Sequence, residues 1–225
     1  MTFSRRHARR SFCRRIALVG LATLLIGFVP SDTAVAKGES DAKLAEAPRQ
    51  LITKTADQII AVLADEDASS EERVSAIQAI AYEIFDFTTM SKLVLARNWR
   101  KMPKDQRIEF VREFKEHLSR TYGTRLDRFD QESIEVTGTQ VEPRDDVTVI
   151  TKVVGGQFDA AVTSYRLRNR NGRWRIIDVV IEGVSLVSNF RSQFAEVINR
   201  GSIDDLLAKL RDKNFKVDDG IEEPS

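Results

Sequence analysis

The 225-residue sequence is poor in the residues that carry most covalent and acid–base chemistry. It has one cysteine, Cys13, and two histidines, His7 and His117. A lone thiol closes no intramolecular disulfide, and no Cys-His or Ser-His-Asp arrangement has any geometry behind it. Zinc-ligand spacing, a glycine-rich phosphate loop and a dinucleotide fingerprint are all missing. The acidic residues Asp65, Glu66, Asp67, Glu71 and Glu72 lack the glycine and terminal glutamate of a calcium loop, so they read as a solvated loop with helix-capping charge. Excess charge of one sign is missing too, with 35 Lys and Arg against 34 Asp and Glu. Long apolar runs are absent except near the N-terminus.

That exception is an address. Arg5, Arg6, Arg9, Arg10, Arg14 and Arg15 precede an uncharged apolar run over residues 16–29. The run is about 14 residues, short of the roughly 20 a spanning helix needs, and Ala34 and Ala36 form an A-x-A cleavage site. Residues 1–36 are therefore expected to be a signal peptide cleaved after Ala36, with the working protein outside the cytoplasm. Arg9-Arg10-Ser11-Phe12 resembles a twin-arginine motif, so both that route and general secretion stay open. Cleavage removes Cys13, His7, six of the 35 basic residues and one of the 34 acidic ones. The mature chain is then cysteine-free and mildly acidic, which argues against nucleic acid as a partner.

Residues 37–48 are polar and alanine-rich and read as a flexible leader, followed by one domain over 49–214. Leu51, Thr55, Ile59, Val62 and Leu63 share a helical face, and after a break a second helix, capped by Ser70, presents Val74, Ile77, Ile80, Ala81 and Ile84. A third helical stretch holds Leu93, Val94 and Trp99. Pro103 then opens a long helix whose Phe110, Phe114, Leu118, Tyr122, Leu126 and Phe129 form one stripe. Periodicity alone reads these aromatic residues as core packing.

Beyond Asp130 the apolar period drops to two. Ile134 and Val136, then Val147 to Val153, then Phe158, Ala160 and Val162, then residues 174–181 predict four strands. Turn signals at Glu142-Pro143, Gly155-Gly156 and Asn171-Gly172 make them an antiparallel meander. The last strand is apolar on both faces, so both sides of the sheet need cover. Two more helices follow, one through Leu186, Phe190 and Phe194 to Gly201, the other from a Ser202 cap through Leu206, Leu207 and Leu210. Residues 215–225 read as a disordered acidic tail. His117 is expected on a helix flank, and Asp178 at a sheet edge or rim beside an arginine; neither has an evident nucleophile.

The order of residues adds what periodicity lacks. The segments over 85–129 and 174–198 resemble the MlaC, or toluene-tolerance, family. The resemblance rests on Phe85-Asp86, Trp99, Gln106, Phe110, Phe114, Tyr122, Trp174, Asp178, Glu182-Gly183-Val184-Ser185-Leu186, Arg191 and Phe194. Two departures are visible. Ala96 stands where the family usually has glycine, and Phe129 and Phe190 stand where it often has tyrosine. At Ala96 a slightly different turn with φ below zero is expected.

The resemblance implies an α+β fold, a four-stranded antiparallel sheet packed with about six or seven helices around a deep apolar lipid cavity. It implies a soluble periplasmic carrier of a glycerophospholipid, with bound lipid as ligand, no cofactor, no metal and no enzymatic activity. Implied partners are an inner-membrane ABC transporter complex with a lipid-binding ring and an outer-membrane lipoprotein complex, together maintaining outer-membrane lipid asymmetry. On that reading the acyl chains would be lined by Phe110, Phe114, Leu118, Tyr122, Val149, Val162, Trp174, Ile177, Val179 and Phe190. Arg97, Arg100 and Arg191 would be rim candidates near the head group. Rival expectations are a hopanoid-type lipid as cargo, a small-pocket enzyme, or an interaction module whose apolar residues are all core.

Overall fold

Each connection of the sheet in the computed structural model holds two consecutive residues at positive φ: Arg144-Asp145, Gly155-Gly156 at the start of the longer link between the second and third strands, Asn171-Gly172 and Glu182-Gly183. Consecutive positive φ matches the right-handed twist of the flanking strands, which is why such turns close hairpins. The structure describes residues 32–126, 133–156, 158–213 and 215–216. Of the expected signal over 1–36, residues 1–31 lie outside them, as do Phe129 and residues 217–225 of the expected tail over 215–225.

The strands are β1 (Ser133–Val141), β2 (Val147–Val154), β3 (Val162–Arg170), β4 (Arg173–Ile181) and β5 (Val184–Ser185), antiparallel in that order. The count is five rather than the expected four, because β5 is a two-residue strand behind Glu182-Gly183, too short to show a period. The third strand also moves. Phe158 to Ala160 form a turn, with Ala160 at φ 71°, and the strand begins at Val162. Its central residues Tyr165, Arg166, Leu167 and Arg168 alternate apolar with charged, but of these only Leu167 is fully buried, so the signal is short and lies beyond the apolar residues of 158–162.

The helices are α1 (Asp32–Leu63), α2 (Ser70–Ile84), α3 (Phe87–Leu95), α4 (Lys104–Leu126), α5 (Leu186–Arg200) and α6 (Ile203–Arg211), with a 3₁₀ turn (Ala96–Lys101) after α3. The segment 37–48, expected as a flexible leader, is instead part of α1. Ala45 is buried there and Leu44 packs on the main core, so burial fixes a stretch whose composition is polar. The cap of α2 is Ser69, one residue before the expected Ser70: its hydroxyl accepts from the Glu72 amide, and the Glu72 carboxylate accepts from the Ser69 amide. Ala96 takes φ 47° and ψ −119°, left-handed rather than the expected negative φ.

Several residues of the sequence motifs are joints between these elements. Phe85 bridges Ile176 of β4 in parallel, and the Asp86 amide donates to the Ile176 carbonyl at 2.9 Å. Asp86 then caps α3, accepting from the Thr89 amide at 2.8 Å. Gln106 of α4 donates to Asp204 of α6 at 2.7 Å. β4 is buried continuously from Ile176 to Val179, as its two apolar faces required.

Candidate functional site

The aromatic stripe of α4 meets α5 in a cluster of stacked and edge-on rings. Phe110 and Phe114 stack with centroids 5.6 Å apart, and Phe194 meets both rings edge-on at 5.7 and 5.6 Å. Phe190 approaches Phe114 edge-on at 5.2 Å. All four rings are fully buried, with Leu206, Leu207 and Leu210 of α6 in the same core. Such contacts are the ordinary geometry of a packed aromatic core.

His117 belongs to this cluster rather than to a helix flank. It is 4% exposed, edge-on to Phe190 at 5.6 Å and to Phe215 at 5.4 Å. Its Nε2 has no hydrogen-bond partner among the described residues. Burial, with the positive Arg120 nearby, lowers its pKa from 6.5 to about 4. It is a neutral core residue at neutral pH.

Asp178 is likewise buried; it pairs with Arg166 of β3, while β5 flanks β4 only at Val180 and Ile181. The expected arginine partner is present: Arg166 lies 3.4 Å from Oδ2. The same carboxylate accepts from the Ser185 hydroxyl at 2.7 Å and from the Val187 amide at 3.1 Å, so it anchors the start of α5. Both candidate acid–base groups are thus committed to packing and capping.

A concave feature among the described residues lies elsewhere, where α1 and the end of α2 meet the start of β4. A cleft of about 560 Å³ is lined by Ala47, Leu51, Glu83, Ile84, Arg173, Trp174 and Arg175. That volume falls within the range of small-molecule sites. Leu51, Ile84 and Trp174 supply apolar wall, while Arg173, Arg175 and Glu83 supply charge. An amphiphile suits this mixture.

Of the ten residues predicted to line a cavity, Trp174 is in the cleft. Phe110, Phe114, Leu118 and Phe190 lie in the helical core, and Val149, Ile177 and Val179 are buried in the sheet. Tyr122 is half-buried beside the core, and Val162 is 42% exposed at the start of β3. The rim candidates are dispersed. Arg97 and Arg100 are exposed on the 3₁₀ turn, and the Arg191 Nε donates to the Leu93 carbonyl at 2.8 Å, tying α5 to the end of α3. The cleft residues that sequence reading passed over, Arg173 and Arg175, flank Trp174 just after the Asn171-Gly172 turn. Two cations around an aromatic at a strand start is the signal that marks them. Among the described residues no group of three or more His, Cys, Asp or Glu is placed to hold a metal ion, and no helix is long and apolar enough to cross a membrane.

The structure is an α+β domain of helices on an antiparallel meander, with the mixed apolar and charged cleft at the start of β4. A protein from Ralstonia solanacearum, described as phospholipid-binding and solved with a phospholipid, shares this fold with TM-score 0.66 and 22% identity, over 74% of this chain and 96% of that one. The family model for MlaC protein matches residues 53–212, and the chain belongs to that family. Among curated relatives, toluene tolerance protein ttg2D of Pseudomonas putida is 26% identical over 71% of this chain and 77% of its own length. The intermembrane phospholipid transport system binding protein MlaC of Haemophilus influenzae is 21% identical over 52% of this chain and 57% of its own length.

Proposed function

We propose that this protein is a periplasmic carrier that takes up the acyl chains of a glycerophospholipid and passes the lipid between an inner-membrane ABC transporter complex and an outer-membrane lipoprotein complex. In that role it serves outer-membrane lipid asymmetry. The observation that carries the reading is family membership over residues 53–212, a range that includes Glu83, Ile84 and the Arg173, Trp174, Arg175 wall of the cleft. The relatives' names, a phospholipid transport binding protein and a phospholipid-bound structure, support the class of cargo.

The physical need is large. One acyl chain of roughly 16 methylenes at about 0.8 kcal/mol each costs on the order of 13 kcal/mol to expose to water. Transfer from a bilayer to an apolar cleft avoids most of that cost but sets no direction, so direction comes from the partner complexes. Cleavage after Ala36 would trim α1, which begins at Asp32, so that the mature chain starts at Lys37, and such an export signal would deliver the carrier to the space between two membranes. A binding role without catalysis is supported by the commitment of His117 to ring packing and of Asp178 to the α5 start.

The test is native purification of the mature chain, solvent extraction and mass spectrometry of what comes off. Phospholipid at about one molecule per protein supports the carrier. A lipid-free protein that also takes none from vesicles overturns it, and recovery of a polycyclic lipid instead redirects it to hopanoid-type cargo.

A further inference from the structure

The β3–β4 hairpin carries five arginines, and their fates differ. Arg168 makes a two-pronged bond to Asp146 at 2.7 and 2.6 Å, Arg166 lies 3.4 Å from Asp178, and Arg170 reaches the Thr89 hydroxyl at 3.4 Å. Arg173 and Arg175 have no ion pair or side-chain hydrogen bond among the described residues, and both line the cleft. In the sheet register Arg173 sits opposite Arg170, and Arg175 opposite Arg168. Like charges directly across a strand pair repel. Asp146 relieves part of that repulsion at Arg168; among the described residues no acid forms an ion pair with Arg173 or Arg175.

The cleft therefore joins an apolar wall to two cations that make no direct ion pair, with Glu83 the one acid in the same lining. Its charged lining is two arginines against one glutamate, a balance of +1 that matches the single negative charge of a phosphodiester. Arg173 and Arg175 are two apart on a strand, roughly 7 Å between successive same-direction positions, within reach of one phosphate by two long guanidinium arms. Guanidinium groups also match phosphate oxygens as donors in pairs.

We infer that Arg173 and Arg175 form the head-group subsite of the cleft, holding the phosphodiester of the bound lipid at the mouth while its chains lie against Leu51, Ile84 and Trp174. The inference rests on the carrier reading above and adds a charge-reading role to it. A lipid phosphate in this position satisfies the two arginines and lowers the cross-strand repulsion. Arg173 is exposed and Arg175 half-buried, and neither belongs to the buried core, so replacing them leaves that core intact.

The experiment loads delipidated mature protein from vesicles containing equal amounts of phosphatidylglycerol and diacylglycerol, and compares wild type with R173Q/R175Q by mass spectrometry of the bound fraction. Wild type is expected to enrich the phospholipid, and the double variant to lose that enrichment about tenfold, the equivalent of about one charge-assisted contact, while taking diacylglycerol as before. Inorganic phosphate added to the loading step is expected to leave the wild-type ratio unchanged, because a free anion brings no chains. Equal enrichment in wild type and variant, or loss of both lipids together in the variant, overturns the subsite and leaves the carrier standing. Wild type that takes up neither lipid overturns the carrier reading and the subsite with it.

Discussion

The Asp178 carboxylate of β4 accepts a 2.7 Å hydrogen bond from the Ser185 hydroxyl, closing the Glu182-Gly183 turn onto the start of α5. Ser185 in turn accepts from the Ser188 amide at 3.1 Å, and Asp178 accepts directly from the Val187 amide. One buried carboxylate thus satisfies donors from three groups, counting Arg166. Removing it leaves a half-buried hydroxyl and a buried helix-start amide without their acceptor. D178A is expected to lose about 3 kcal/mol of stability and S185A about 1, measured by urea unfolding. Loss of less than about 0.5 kcal/mol in D178A would break this account.

A second joint is Arg168 with Asp146. The pair is bidentate, and Asp146 is buried while Arg168 is partly so. The hydrogen bond to Asp146 raises the guanidinium pKa against the opposing effect of partial burial. A double-mutant cycle with D146N and R168Q is expected to return a coupling of about 1–3 kcal/mol, above the range of exposed pairs.

These two pairs explain which parts of the fold were legible in the sequence. Helices α2, α4, α5 and α6 and strands β1, β2 and β4 carry apolar periods that name their buried faces. β3 has only the short alternation of Tyr165 and Leu167 with Arg166 and Arg168, and what holds those two arginines at the sheet is their pairing with Asp178 and Asp146, which the local sequence does not display. The start of α1 was hidden for a related reason: its helix is fixed by where Leu44 and Ala45 land, not by composition. In the site, Trp174 was legible as an aromatic at a strand start. Leu51 and Ile84 read only as helix faces, and what brings them beside Arg173 and Arg175 is tertiary geometry.

Ala96 holds a backbone conformation that suits glycine, φ 47° with ψ −119°. Glycine there relieves steric strain of order 1–3 kcal/mol and gives back part of it as unfolded-chain entropy. A96G is therefore expected to stabilise the protein by about 1 kcal/mol, read as a rise of a few degrees in Tm. A fall in Tm would mean that the turn carries no strain.

His117 makes stability depend on pH in a defined window. Its folded pKa, about 4, lies below the unfolded value of 6.5, so the unfolded chain binds the extra proton first. Between those two values stability rises with pH; it falls as the solution is acidified through about 6.5 and levels off below about 4 as far as this residue is concerned. In H117L the fall over that window is expected to be shallower than in wild type. Equal slopes in the two proteins would show that His117 is not buried neutral.

Phe114 and Trp174 were both expected beside the lipid, and the structure gives them different surroundings. Phe114 touches Phe110, Phe190 and Phe194 inside a closed cluster, whereas Trp174 borders the cleft. F114A empties a fully buried site and is expected to cost about 3–5 kcal/mol, with Tm falling before any selective loss of lipid. W174A removes wall from a partly open cleft, so a loss of only about 1–2 kcal/mol is expected, together with a large fall in phospholipid recovered from the folded protein. The two variants separate stability from binding because one acts on the core and the other on the cleft wall. If F114A instead keeps its Tm and loses lipid, the rings open to admit the acyl chains and the ligand lies between α4 and α5 rather than beside β4.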